Sequence, residues 1–288
     1  MKITFIVSLF LSSVTISCQD YGKLKLNDIL PKELNEISGI IMAQDQESVW
    51  AIADSKNEGV LYLIDIKNGH IKHKTWLKDA INVDWEDIAS DGKETIFIAD
   101  TGNNDNDRKD LTIYHVSENI ALAEKEVTPK KTRFRYEDQE EYPPKKKKRH
   151  FDAEALIYKD QYFYLFTKDR SSDFEGLTRV YQVPAKPGNF EAKFITEYNL
   201  CDDEDDCFVT AADINQKTGE IVLLGYNKVW KLNEYTGNDF FSGTVTKVKL
   251  KYSSQKEGIA FKHADTLLIT EEGKKMDGAK LFEYHLDK

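Results

Sequence analysis

Helical periodicity is almost absent from this chain, so long amphipathic helices are not expected to build its core. Apolar runs of membrane-spanning length are also lacking. The longest, residues 3–16, is too short for a bilayer. There is no G-x-S-x-G, no P-loop, no H-E-x-x-H and no Cys beside His, and the six His are scattered. The nucleophile and metalloprotease chemistries that depend on those motifs therefore have no carrier. Excess positive charge is missing too. The net charge of −10 argues against nucleic acid as a partner. Only six Pro and three Met stand against 14 Tyr and 15 Phe, a balance that fits a β-rich globule.

Cysteines are few, and their placement is informative. The first 18 residues, MKITFIVSLFLSSVTISC, have one Lys, an apolar run and a small residue before Cys18. This resembles a bacterial lipoprotein signal in which Cys18 becomes the lipidated first residue, although Thr15 and Ile16 replace the usual Leu and Ala. An ordinary cleaved secretory signal and a buried N-terminal element are the alternatives. The expected organisation is a signal over 1–17, a lipid-anchored tether over 18–21 and a single domain over 22–288. The expected location is the bacterial cell envelope, at the outer membrane or cell surface, or else periplasmic or secreted. The lipid would be the only membrane contact. Cys201 and Cys207 remain, flanking the acidic run DDEDD. In an oxidising compartment they can bridge, which typically stabilises by about 2–4 kcal/mol. Two reduced, unrelated thiols are the other possibility.

An internal repeat is the strongest signal present. Short runs recur at EISGI (36–40), WEDIA (85–89), AEALI (153–157), TAADI (210–214) and KEGIA (256–260). Their key positions are Ser38, Glu86, Glu154, Ala212 and Glu257, spaced by 48, 68, 58 and 45 residues. A train of strand-like runs follows each one, such as SVWAIAD, GVLYLIDI and IKHKTWL after Ser38. Four strands per unit, repeated radially, describe an all-β propeller. The last unit is one strand short, and GKLKLNDI (22–29) belongs to no other unit. If that segment supplies the missing outer strand, the ring closes and a sheet edge is hidden. Five blades are expected. Six is the alternative, if the long second spacing conceals a degenerate blade. The surplus there, EDQEEYPPKKKKRH (137–150), reads as an insertion in which the basic run pairs with the acidic one.

In a propeller the first strand of each blade lines the central channel. The five key positions then converge at one mouth, and three of them are carboxylates. At ~5 Å two like charges repel by about 3 kcal/mol with an effective dielectric near 20. Protonation, intervening water or a cation must relieve this. Hard oxygen ligands in a roomy site suit Ca²⁺, and the lack of nearby His or Cys makes Zn²⁺ a poor fit. A water-filled acidic channel is the competing picture, and a different register is a third. Asp87, one residue beyond Glu86, should point the other way and accept hydrogen bonds between blades.

The runs EISGI, WEDIA, AEALI and KEGIA, with Ser38, Glu86, Glu154 and Glu257 opening inner strands, resemble the central ring of calcium-activated nucleotidases (soluble apyrases), a five-bladed propeller family. The resemblance implies a central Ca²⁺ held by those four residues. Ala212 departs from the pattern, since a hydroxyl is expected there; Thr210 could supply one only by a register shift. The EGIA run is also similar to esterase-like phytase propellers.

Second strands return to the same mouth, bringing Asp54, Asp100, Lys168 and Glu272 with the loops that follow them. Asn104, Arg108 and Arg170 lie in those loops. Such a loop-lined mouth is a natural ligand site, although a plain solvated loop face has the same composition. Acid around a metal with Lys and Arg at the rim suits a phosphorylated or carboxylated ligand. The run NNDNDRKD (103–110) lacks Ca²⁺-loop spacing and reads as a polar turn. Three functions follow. The first is binding of a small anionic or carbohydrate ligand, or of an envelope protein, by a monomer. The second is Ca²⁺-dependent phosphoester hydrolysis, with Lys168, Arg170 and Asp100 as the catalytic candidates. The third is a structural role in an envelope assembly.

Overall fold

Runs rich in Val, Ile, Tyr, Phe and Trp fold as short strands, and the Gly, Asn, Asp and Lys positions between them turn. A computed structural model describes residues 19–201, 207–274 and 277–286. The expected signal and the lipidation residue Cys18 lie outside the described residues.

Strand β1 (Lys25–Ile29) comes first. A first set follows as an antiparallel meander: β2 (Ile37–Met42), β3 (Ser48–Ala53), β4 (Val60–Asp65) and β5 (Ile71–Leu77). The second set holds β6 (Trp85–Ser90), β7 (Thr95–Asp100) and β8 (Leu111–Ser117). A helix, α1 (Glu118–Ala123), and the two-residue β9 (Glu126–Val127) interrupt it before β10 (Lys130–Tyr136). The third set is β11 (Asp152–Lys159), β12 (Tyr162–Lys168), β13 (Leu177–Pro184) and β14 (Gly188–Asn199). The fourth is β15 (Ala211–Ile214), β16 (Ile221–Leu224), β17 (Lys228–Asn233) and β18 (Thr244–Lys249). The last is β19 (Lys256–His263), β20 (Thr266–Glu271) and β21 (Lys280–His285). Strand β1 completes it, antiparallel to β21 with Leu26 opposite Phe282. The N-terminal closing strand expected over 22–29 is therefore present at 25–29.

The inner strands β2, β6, β11, β15 and β19 each touch the next, and β19 touches β2. The ring is closed, and the fold is a β-propeller. A separate hydrophobic cluster fills each junction between consecutive sets. Between the first and second sets, Trp50 and Trp85 are fully buried, and Trp85 lies 5.8 Å from Tyr114, centroid to centroid. Burying one such ring removes on the order of 200 Å² from water, worth about 5 kcal/mol before ordering entropy.

Two buried carboxylates latch the inner strands. Asp87 accepts hydrogen bonds from the N–H groups of Ile88 (2.8 Å), Leu156 (2.8 Å) and Ala212 (3.1 Å), so it ties β6 to β11 and β15. This is the interblade role expected of it. Asp213 repeats the device one junction later, accepting from Ile214 (2.8 Å) and Phe261 (2.7 Å).

Cys201 and Cys207 form a disulfide. The insertion 137–150 forms turns and a 3-10 segment, Lys146–Lys148. Its acidic and basic runs do not pair as expected. They face each other across a cavity of about 450 Å³, and Arg149 pairs with Asp105 (3.8 Å). No helix among the described residues is long and apolar enough to cross a membrane.

Candidate functional site

Four inner strands carry a register shift at their mouth end. The skipped residue is Ser38 in β2, Glu86 in β6, Glu154 in β11 and Glu257 in β19. A bulge leaves one residue unpaired and re-aims its side chain. The four positions singled out by sequence are thus the four bulged residues, and all four are buried. The fifth position needs correction. Ala211 pairs with Leu224, and the Thr210 N–H bonds the same Leu224 carbonyl (3.0 Å). Thr210, not Ala212, therefore occupies the equivalent place. It supplies the missing hydroxyl, which donates to the Lys256 carbonyl (2.6 Å). The Ala212 N–H is spent on Asp87.

Carboxylates gather in two trios that share Glu86. Asp54, Asp84 and Glu86 form one; Glu86, Asp152 and Glu154 form the other. Within each trio the ligand oxygens lie within 4.8 Å of one another, a spacing compatible with a shared metal ion. Asp84 and Asp152 were not among the residues expected from sequence. The signal was there: DWE (84–86) and DAE (152–154) place acids two residues apart, on the same face of an extended chain. Glu257 enters neither trio.

Crowding shows in the proton affinities. Asp84 is pushed up to about 7 by burial, then by Asp54 and Asp152, against the pull of Arg108. Burial, followed by Glu154, Asp152, Asp84 and Asp54, drives Glu86 well above the carboxylate range. Glu257 is raised mainly by burial, with Lys168 opposing. Glu272, beside Asp54 and Glu36, is raised to about 7 by burial and those two charges.

The two trios differ in their cations. In the second, Arg170 Nε donates to Asp152 (2.6 Å) and Nη2 to Glu154 (2.9 Å), while Lys168 Nζ donates to the same Glu154 oxygen (3.0 Å). Burial still lifts Glu154 to about 7 despite both cations. Burial opposes the Lys168 charge, but Glu154 and Glu257 outweigh it and hold the ammonium protonated. Lys168 also lies 5.1 Å from the Phe208 ring and 5.8 Å from Tyr226, both half-buried. In the first trio, by contrast, none of Asp54, Asp84 and Glu86 forms an ion pair among the described residues.

Gly102 explains why that trio has room. A Cβ on Gly102 would collide with Glu86 Oε1 and Asp84 Oδ2, so only glycine lets the backbone pass beside both oxygens. Ser38, 2% exposed, has an Oγ with no hydrogen-bond partner among the described residues. An all-oxygen donor set, a cradle that a Cβ would fill and an orphaned hydroxyl at an equivalent bulge fit a hard divalent cation.

The remaining expected residues divide. Asp54 belongs to the first trio, and Glu272 faces it. Asp100 is fully engaged: it accepts from Arg108 Nη2 (2.9 Å), the Asp84 N–H (3.1 Å) and the Tyr114 hydroxyl (3.4 Å). Arg108 also holds the Gly102 carbonyl (2.8 Å) and Asp110 (3.3 Å). The pair thus buttresses the Gly102 cradle from behind. Asn104 is exposed and makes no side-chain hydrogen bond among the described residues. Its neighbours Asn103 and Asn106 lock the loop onto the start of β11 through Phe151 and Asp152, so NNDNDRKD is a structured polar turn.

No protein-family model matches the chain, and no curated protein matches it. Among solved structures it is similar to the PQQ-bound aldose sugar dehydrogenase of Streptomyces coelicolor, with a TM-score of 0.48 and 11% identity over 91% of this chain and 98% of that one. It is also similar to XC5397 of Xanthomonas campestris, a gluconolactonase, with a TM-score of 0.46 and 8% identity over 91% of this chain and 88% of that one. Likeness at this level assigns no residue of the site.

Proposed function

We propose that this protein is an exported, lipid-anchored β-propeller that holds one Ca²⁺ between Asp54, Asp84 and Glu86 and binds a small anionic ligand, a sugar acid or phosphosugar, at the channel mouth. The reading rests on one observation above all: three clustered acids, with Glu86 buried, none of which forms an ion pair among the described residues. Bound there, the ion supplies positive charge against which a carboxylate or phosphate docks. Ser38 and Glu257 complete the polar lining from equivalent bulges. Phe208 and Tyr226 give the ring of a sugar an apolar surface close by. In this reading residues 1–17 are a signal, Cys18 carries the lipid, and 22–288 work as a monomer at the cell envelope.

Binding is favoured over phosphoester hydrolysis by the state of the cations. Lys168 and Arg170 are already committed to Glu154 and Asp152, which leaves neither free to neutralise developing charge. Calorimetric titration of chelator-stripped protein with Ca²⁺ tests the first part, with one equivalent expected and none in Asp84→Asn. A thermal-shift panel of uronates and sugar phosphates tests the second. Stabilisation that requires Ca²⁺ is expected, and indifference to the whole panel overturns the ligand assignment. Turnover of nucleotides or phytate with Ca²⁺ would instead favour hydrolysis. Membrane fractionation of Cys18→Ser tests the anchor, since the variant should leave the membrane.

A further inference from the structure

The second trio has the composition of the first and is built from the same D-x-E pattern, yet two side-chain cations already fill it. We infer that Arg170 is a resident cation of the Glu86–Asp152–Glu154 trio, which limits the hub to one exchangeable divalent ion and fixes where that ion sits; this rests on the cation reading above. The guanidinium spans the two acids of one strand as a fork, Nε on Asp152 (2.6 Å) and Nη2 on Glu154 (2.9 Å). Planar, bidentate geometry of this kind is what distinguishes arginine from a diffuse surface charge. Both acids are buried, so water does not replace the guanidinium. The Lys168 ammonium adds a third bond (3.0 Å) on Glu154.

Among the described residues no equivalent forms an ion pair with the first trio. Arg108, the cation that acts on Asp84, is spent on Asp100 and Asp110. Gly102 keeps space open between Asp84 and Glu86. The Ser38 hydroxyl, buried at the bulge equivalent to that of Glu86, likewise has no hydrogen-bond partner among the described residues. Glu86 belongs to both trios, so an ion in the second half would sit directly against the Arg170 charge. Arginine cannot shed its proton to make room. The pairing therefore acts as a specificity device: one half of the hub is closed by the fixed charges of Arg170 and Lys168, and the other is left for a free cation.

Native mass spectrometry and calorimetry on the purified full protein, titrated with Ca²⁺ alone, test this. Wild type is expected to bind one equivalent. Arg170→Gln is expected to bind two, the second at least tenfold more weakly because Lys168 remains on Glu154. Arg170→Gln with one equivalent of unchanged affinity overturns the inference. Should that variant fail to fold, Asp152→Asn in the wild-type background decides. An affinity within about threefold of wild type supports the inference, whereas loss of binding as complete as in Asp84→Asn overturns it. If wild type binds none and Arg170→Gln binds one, the resident-cation inference stands and the first-trio site falls. If neither binds, both fall.

Discussion

Replacing Asp87 with alanine strips three buried N–H groups of their acceptor at once: Ile88, Leu156 and Ala212, in three different inner strands. Each orphaned buried donor costs about 1–3 kcal/mol. Against that stands a recovery. Burial raises the Asp87 carboxyl well above its usual range, even though the three N–H bonds pull it down, so the native site already bears a desolvation cost that alanine removes. The balance is a net loss of about 3–5 kcal/mol, a large part of the roughly 5–15 kcal/mol that holds a domain together. Asp87→Asn keeps one acceptor oxygen but turns an NH₂ toward a donor, and should fall about midway. Urea unfolding followed by tryptophan fluorescence measures both, with the denaturant slope unchanged if the unfolded chain is unaffected. At about 2–4 °C per kcal/mol for a domain of this size, the melting temperature of the alanine variant should fall by at least ~6 °C. An Asp87→Ala protein within 1 kcal/mol of wild type would refute the idea that this carboxylate latches the ring.

Asp213 gives a pH signature. Burial pushes it up to about 7, with the Phe261 and Ile214 N–H groups opposing, whereas the unfolded value is near 4. Between those values the native state keeps a proton that the unfolded chain has released, so this group's contribution to stability falls as pH rises. Relative to Asp213→Asn, wild type should lose up to about 4 kcal/mol between pH 4 and pH 7; parallel pH profiles would contradict this. Removing the Cys201–Cys207 disulfide, by reduction or by paired serines, should cost about 2 kcal/mol, the value for so short a loop. An unchanged urea midpoint would sink that estimate. Gly102→Ala should weaken Ca²⁺ binding at least tenfold while lowering stability by about 1–3 kcal/mol, because its Cβ must displace Asp84 or Glu86. Unaltered affinity in calorimetry would remove Gly102 from the site.

Much of the fold was legible because strand runs bounded by turn residues recur, and because an unpaired first segment matched a missing last strand. The ring positions were legible for a related reason: a carboxylate inside an apolar strand is costly unless structure compels it. Register was harder. A slip of one residue reverses every side chain, and TAADI offers no charged residue to fix the bulge, so Ala212 was read where Thr210 stands. Asp84 and Asp152 escaped because they fall at or before strand starts and look like loop residues; only the repeated D-x-E spacing marks them. Which cation serves which acid could not be read at all. Lys168 ends β12 and reaches Glu154 from the strand itself, whereas Arg170 reaches Asp152 and Glu154 from the turn that follows, whose path depends on the neighbouring loop: the Arg170 N–H bonds the Arg149 carbonyl (3.0 Å). Helix α1 also went unseen, since six residues carry too little periodicity to register.

If Asp54, Asp84 and Glu86 take one cation at the hub, that ion should be directly visible. A crystal grown with Ca²⁺ and measured at a wavelength where its anomalous signal is strong tests it most directly. A single anomalous peak is expected among the oxygens of Asp54, Asp84 and Glu86, with Arg170 still on Asp152 and Glu154. Well-ordered carboxylates with no such peak at saturating Ca²⁺ would contradict it.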